Sequence, residues 1–130
     1  MNKIFGGGDD PEFQLPTEDE TTATSTGLRV QTLVEGTGKA PGPTDKVTVH
    51  YAGWTLGGKL FDSSYSRGQS ISFGLNQVIP GWTEGLQLMQ EGGKAKLLIP
   101  SNLAYGPRGA PPAIGPNEDL LFQVELIKVG

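Results

Sequence analysis

Residues 78–86 read Val78-Ile79-Pro80-Gly81-Trp82-Thr83-Glu84-Gly85-Leu86 and open the clearest helical pattern of the chain. Trp82, Leu86 and Met89 follow at the i, i+4, i+7 spacing of one helix face, which predicts a helix from about residue 81 to residue 90. An indole buries more apolar area than almost any other side chain. At the entrance of a short helix it predicts the flat floor of a pocket for a small apolar ring.

The segments around this helix alternate in the manner of β-strands. Residues 46–54 place Val47, Val49 and Tyr51 on one face. Further strand patterns cover residues 28–34, 60–62, 70–75, 94–99 and 119–129, with Gly- and Pro-rich turns between them. Residues 100–118 hold five prolines and predict a long loop of the kind that often carries function. The pattern predicts an α+β fold, with a twisted antiparallel sheet of five to six strands wrapped around one short α-helix.

The first 26 residues differ from the rest in charge. They hold six acids and one base, a net charge of −5, whereas residues 27–130 hold eight acids and nine bases. Glycine, acidic and Ser/Thr runs predict a disordered acidic leader or linker over residues 1–26, ahead of one domain over residues 27–130. An acidic interaction arm is the alternative. Leu15-Pro16 is an apolar-proline pair and therefore a candidate occupant of the predicted pocket.

Composition argues against several classes of function. The near-neutral domain offers no basic stripe for nucleic acid, and no apolar stretch is long enough to span a membrane. The absence of cysteine removes thiolate metal sites and thiol nucleophiles. The carboxylates show no metal-loop spacing, so we expect no metal and no cofactor. A cytoplasmic location is expected if the start is native, and a periplasmic or secreted one if a signal has been removed.

Five motifs follow one another along residues 28–129. They are Val49-His50-Tyr51-Ala52-Gly53, Phe61-Asp62-Ser63-Ser64, Val78-Ile79-Pro80-Gly81-Trp82, Ile99-Pro100-Ser101-Asn102-Leu103-Ala104-Tyr105-Gly106 and Leu121-Phe122-Gln123-Val124-Glu125-Leu126. In this order they resemble the FKBP-type peptidyl-prolyl cis-trans isomerases, bacterial members above all. The resemblance implies an isomerase domain over residues 27–130, with a hydrophobic pocket between helix and sheet. The sequence shows no dimerising helical domain like that of some bacterial members, so a monomer is expected.

The resemblance also implies the site residues. The catalytic set is Phe61, Asp62, Trp82 and Tyr105, and the substrate-binding set is Tyr51, Arg67, Ile71, Val78, Ile79, Ala113, Ile114 and Phe122. Ile71 stands where the family commonly has a phenylalanine, and Ala113 where an isoleucine often sits, so a wider rim is expected. The implied partners are proline-containing peptides, unfolded protein clients and macrolides such as tacrolimus and rapamycin.

An X-Pro bond rotates slowly because resonance gives its C–N bond partial double-bond character. Rotation breaks that resonance, and an apolar pocket disfavours the polar planar state relative to the twisted one. Each ~1.4 kcal/mol of such preference accelerates rotation tenfold without proton transfer. In this hypothesis aromatic rings hold the proline, donors fix the substrate carbonyls and a carboxylate faces the amide. The rings that hold the proline are those of Trp82, Phe61 and Phe122. The donors are the Ile79 N–H and the Tyr105 hydroxyl. The carboxylate is that of Asp62, which Tyr51 and Arg67 orient.

Several of these residues could instead have a purely structural role. Trp82 could be plain core, Asp62 could cap a turn, and the lone His50 is expected to point to the face opposite Tyr51. At the level of the domain, a non-catalytic module that holds proline segments is the alternative to an enzyme. The presence of Asp62, Trp82 and Tyr105 together favours the enzyme.

Overall fold

The computed structural model describes residues 10–130, in which antiparallel strands form one seven-stranded sheet. The strands are β1 (Thr22–Ala23), β2 (Arg29–Val34), β3 (Lys46–Thr55), β4 (Leu60–Ser63), β5 (Ile71–Gly74), β6 (Lys94–Ile99) and β7 (Leu120–Val129). Two α-helical segments, α1 (Ser64–Arg67) and α2 (Pro80–Leu86), complete the fold together with four 3₁₀ turns. Within the described residues, no helix is both long and apolar enough to cross a bilayer.

The sheet order is β1-β2-β6-β7-β3-β4, and β5 shares the outer edge of β3 with β4. The long strand β3 therefore has partners on both edges, and it pairs with β7 along one edge from Val47 to Thr55. A bulge between Gly53 and Trp54 interrupts its pairing with β4. The predicted α+β fold is confirmed. The strand count exceeds the expected five to six because a two-residue strand forms where we predicted the leader.

The helix α2 packs against β6 on one face of the sheet, and this contact builds the main core. A Cβ atom on Gly85 would lie 2.8 Å from Leu97 Cδ1, so the glycine lets the helix backbone approach the sheet closely. The helix ends at Leu86, earlier than the predicted residue 90. Beyond it the Leu88 N–H bonds to the Gly85 carbonyl in a tighter i→i+3 turn.

Residues 10–26 differ from the disorder that we predicted for the leader. The Phe13 ring centroid lies 5.9 Å from that of Trp54, and the Lys96 ammonium donates to the Gln14 carbonyl at 2.8 Å. Strand β1 then pairs with β2. Composition missed this order because one aromatic anchor and a few long-range polar contacts hold an otherwise polar segment. Residues 1–9 lie outside the described part of the chain.

Pro16, whose occupancy of the pocket was one hypothesis, lies away from α2. Pro16 borders a shallow groove together with Arg29 and Leu98. Leu98 packs with Ala52, Trp54 and Leu121, a cluster that we call the back-face cluster. Its neighbours Leu97 and Ile99 instead join the main core. Because successive strand residues point to opposite faces, Pro16 lies on the face that does not carry α2.

Candidate functional site

A cavity of about 410 Å³ opens between α2 and the strands of the sheet. This volume falls within the range of small-molecule sites in proteins. Its wall is mainly aromatic and aliphatic, with one carboxylate. The lining residues are Tyr51, Phe61, Asp62, Phe73, Gln77, Val78, Ile79, Trp82, Tyr105 and Phe122.

Trp82 forms the floor of this cavity. Pro80 begins α2 and Ile79 precedes it with extended backbone, so the indole leaves the first helical turn toward the sheet. Its ring meets Tyr51 edge-on at 5.0 Å and Phe122 edge-on at 5.2 Å. Only 5% of the residue is exposed, yet it borders the cavity. Among the described residues, its buried Nε1 has no hydrogen-bond partner.

The side wall is a pair of phenylalanines. Phe61 of β4 and Phe122 of β7 meet edge-on with ring centroids 5.5 Å apart. Gly53 of β3 lies beneath them, because a Cβ there would be 2.6 Å from Phe122 Cε1 and 2.8 Å from Phe61 Cζ. The missing side chain at residue 53 therefore makes room for both rings.

The carboxylate of Asp62 is held by two partners at the edge of the cavity. Arg67 Nη1 donates to Oδ1 at 2.8 Å, and the Tyr51 hydroxyl donates to Oδ2. Arg67 Nη2 also donates to the Tyr51 hydroxyl oxygen at 3.3 Å. Burial raises the pKa of Tyr51, and its hydrogen bond to Asp62 raises it further. Hydrogen bonds to Tyr51 and Asp62 raise the pKa of Arg67, so the guanidinium stays charged beside the carboxylate.

Two residues of the lining, Ile79 and Tyr105, carry hydrogen-bond donors. Within residues 10–130 no backbone hydrogen bond uses the Ile79 N–H, although the Ile79 carbonyl accepts from Trp82 and Thr83. Tyr105 stands at the rim with 39% of its surface exposed. Burial raises the pKa of its phenol, and the charge of Asp62 adds to the rise. The Tyr105 hydroxyl therefore keeps its proton at neutral pH.

Four residues of the implied binding set, Arg67, Ile71, Ala113 and Ile114, do not line the cavity. Ile71 lies at the start of β5 and is 38% exposed. Ile114 is buried in the main core, and Ala113 packs against it. Arg67 likewise acts only through Asp62 and Tyr51.

Sequence reasoning missed two lining residues, Phe73 and Gln77. The Phe73 ring lies 5.4 Å from that of Trp82, on the strand face that it shares with Ile71. The alternation in β5 placed both residues on one face. It did not show that the later residue, nearer to α2, would reach the indole.

His50 lies outside the lining of the cavity, as expected. Its Nδ1 is 2.8 Å from the hydroxyl oxygen of Ser64, and its ring stacks on Tyr65 at 4.8 Å. The same buried Ser64 oxygen accepts the Tyr51 N–H at 2.7 Å. The histidine thus belongs to the support of Tyr51. No group of three or more His, Asp or Glu side chains in residues 10–130 is placed to hold a metal ion.

Comparison with known proteins agrees with this geometry. Residues 37–127 match the family described as FKBP-type peptidyl-prolyl cis-trans isomerase. The chain belongs to this family. A probable isomerase FkpA of Neisseria meningitidis is 50% identical over 113 residues, which are 87% of this chain and 42% of the relative. The resemblance inferred from the five motifs is confirmed.

Solved structures give the same result. The crystal structure of FkpA from Escherichia coli is 51% identical with a TM-score of 0.82, covering 86% of this chain and 52% of that one. A peptidyl-prolyl isomerase from Pseudomonas syringae pv. tomato is 40% identical with a TM-score of 0.82, covering 87% of this chain and 83% of that one. The chain spans less than half the length of the FkpA relatives from Neisseria meningitidis and Escherichia coli.

Proposed function

We propose that this domain accelerates cis–trans rotation of X-Pro bonds in peptides and unfolded protein clients. The observation that carries the proposal is the aromatic cavity with Trp82 as its floor and a fixed carboxylate at its edge. A proline ring fits such a cavity because edge and face contacts with aromatic rings favour small apolar rings. Family membership supports the same reaction.

The roles of the individual residues are part of the proposal. Phe61, Trp82 and Phe122 hold the proline ring, and Phe73 extends the wall beside the indole. The Ile79 N–H and the Tyr105 hydroxyl donate to substrate carbonyls and so fix the pose of the chain. The Asp62 carboxylate faces the amide carbon as its carbonyl loses polarity. Donors and charges that are already fixed need no reorganisation during the rotation.

The two tryptophans supply a matched test of this proposal. Trp82 and Trp54 are 5% and 3% exposed, but Trp54 belongs to the back-face cluster. We expect Trp82→Leu to lower kcat/KM for an apolar-Pro peptide by about tenfold or more, because the ring loses its floor. Trp54→Leu costs stability with kcat/KM unchanged below the melting temperature. Equal kcat/KM for both variants and for Asp62→Ala would refute the proposal.

Peptide affinity, measured beside the rate, separates an enzyme from a binding module. An enzyme loses kcat in Asp62→Ala while peptide affinity changes little, since the carboxylate acts on the twisted amide. A module binds the peptide and leaves the rate of rotation at its uncatalysed value. Tyr51 and Arg67 hold the carboxylate in place, which favours the enzyme.

The same cavity is the proposed site for macrolides such as tacrolimus and rapamycin. Their proline-like ring would occupy the space above Trp82, and the rest of the ligand would cover the rim. By the family resemblance, Ile71 and Ala113 stand where larger residues are common. Although neither lines the cavity, they would offer less area to the outer part of the ligand, so we expect macrolide affinity to be weaker by about 1–3 kcal/mol than with the larger residues. Competition of tacrolimus with peptide turnover, in the native chain and in Ile71→Phe, measures this directly.

One relative bears on the compartment. The outer membrane protein MIP of Legionella longbeachae is 48% identical over 103 residues, which are 79% of this chain. That likeness supports the cell envelope as the compartment of this protein. Fractionation of the source cells with an antibody against the domain tests it, and recovery in the cytoplasmic fraction alone would contradict it.

A further inference from the structure

Residues 10–16, which we call the N-terminal strap, cross the side of the sheet opposite the cavity. The Phe13 ring packs against the back-face cluster beside Leu60, Tyr65 and Leu98. The Lys96 ammonium holds the strap backbone through the Gln14 carbonyl at 2.8 Å. The strap is thus fixed at its middle by one aromatic ring and one charged hydrogen bond.

The strap is also fixed at Asp10, where its described part begins. Asp10 Oδ1 accepts the hydroxyl of Ser63 at 2.6 Å and the hydroxyl of Ser66 at 2.6 Å. Hydrogen bonds to a charged acceptor are shorter and about twice as strong as neutral ones. Both serines belong to one helical turn, because Ser63 is the N-cap of α1 and accepts the Ser66 N–H. Asp10 therefore ties the strap to α1.

The helix α1 is a single turn of four residues. So short a helix has little stability of its own and depends on contacts from outside. Its last residue is Arg67, which binds Asp62, and its N-cap Ser63 follows Asp62 directly in the chain. A shift of this turn would therefore move both members of the ion pair at the edge of the cavity.

The ion pair between Arg67 and Asp62 is exposed and depends on neighbouring contacts for its geometry. The side chains of Arg67 and Asp62 are 48% and 42% exposed. An exposed ion pair contributes little unless its geometry is fixed by other contacts. On the cavity side the Tyr51 hydroxyl supplies one such contact. On the opposite side, the Asp10 carboxylate supplies another through the two serine hydroxyls.

We propose that Asp10 is a positioning residue for the isomerase site: through Ser63 and Ser66 it holds α1 so that Arg67 and Asp62 keep their geometry. The inference rests on the proposed function of the cavity. The hydrogen-bond partners of Asp10 are Ser63 and Ser66, and neither lines the cavity. Asp10 therefore affects the rate of rotation and not the affinity for the peptide, because the Asp62 carboxylate that it positions acts on the twisted amide.

The test compares Asp10→Ala with Glu12→Ala, which removes another exposed strap carboxylate. We expect Asp10→Ala to lower kcat about threefold to tenfold with KM nearly unchanged, and Glu12→Ala to leave both unchanged. Asp10→Asn keeps an acceptor oxygen and recovers part of kcat. In the Arg67→Ala background, Asp10→Ala has no further effect on kcat, because the pair that it positions is already absent.

Amide hydrogen exchange gives a readout that is independent of turnover. The N–H groups of Ser66 and Gly68 exchange faster in Asp10→Ala than in Glu12→Ala if the tie to α1 holds. Unchanged exchange, or an equal loss of kcat with and without Arg67, overturns the inference. A native chain with no isomerase activity refutes the proposed function. An active native chain with equal kcat in Asp10→Ala and Glu12→Ala overturns only the positioning role.

Discussion

Replacing Gly53 by alanine is the most direct test of how the cavity wall is built. The new Cβ would lie 2.6 Å from Phe122 Cε1 and 2.8 Å from Phe61 Cζ. Real Cβ contacts do not come this close, so at least one ring must move. Both rings line the cavity, so we expect the displaced ring to move into it.

The expected cost follows from the contacts of Phe122. Its ring makes edge-on contacts with Trp82 at 5.2 Å and with Phe61 at 5.5 Å. Each such contact contributes about 0.5–1.5 kcal/mol beyond area burial, and overpacking a core typically costs about 1–3 kcal/mol. We therefore expect Gly53→Ala to lose about 1–3 kcal/mol of folding stability. At roughly 4 °C per kcal/mol, the melting temperature falls by about 4–12 °C.

Activity should fall further than stability alone explains. A ring displaced into the cavity occupies the space proposed for the proline, so kcat/KM falls by about tenfold or more at temperatures where the variant is folded. Gly57→Ala is the matched control, because its Cβ would meet nothing closer than Thr55 Oγ1 at 4.0 Å. Thermal unfolding and a proline-isomerisation assay on both variants decide the matter. If Gly53→Ala matches Gly57→Ala in both measurements, the account of the wall is wrong.

Three further substitutions test the support of the site. Ser64→Ala leaves the buried Tyr51 N–H without its acceptor and loses about 1–3 kcal/mol in urea unfolding; an unchanged midpoint contradicts this. Phe13→Ala loses about 1–2 kcal/mol by the same measurement, and faster proteolysis within the strap accompanies the loss. A hydrogen bond from the Val129 N–H lowers the pKa of Glu91 below its ordinary 4.5. Glu91 therefore stabilises the fold above pH 4.5, and this stability is lost as the pH falls through the lowered pKa. Glu91→Gln removes that dependence, as denaturant midpoints from about pH 7 to about pH 3 would show.

Local patterns were enough for the parts of the fold that repeat along the chain. The alternation of Val47, Val49 and Tyr51 predicted the inner face of β3, and all three are buried there. Helical spacing placed Trp82 on the face of α2 that meets the sheet. Both inferences succeed because each depends only on which residues share a face of one element.

Contacts between distant segments were beyond such patterns. Asp10 and Ser63 are 53 residues apart and carry no shared periodicity, so the ordered strap could not be predicted from composition. The choice between Ile71 and Phe73 as cavity wall depended on where β5 lies relative to α2. Strand alternation alone does not fix that position.

Asp62, Arg67 and Tyr51 at the edge of the cavity are hydrogen-bonded to one another. This arrangement suits rotation of an amide bond better than proton transfer. Both oxygens of Asp62 accept hydrogen bonds, from Arg67 and from Tyr51. The raised pKa values of Tyr51 and Tyr105 keep both phenols protonated, so each acts as a donor and not as a base. A general base needs a free acceptor within reach of a proton, whereas a twisting amide needs only fixed donors and a fixed charge as its dipole changes. The described residues of the cavity meet the second requirement, which is why a chain without cysteine and with a single histidine outside the cavity lining is suited to this reaction.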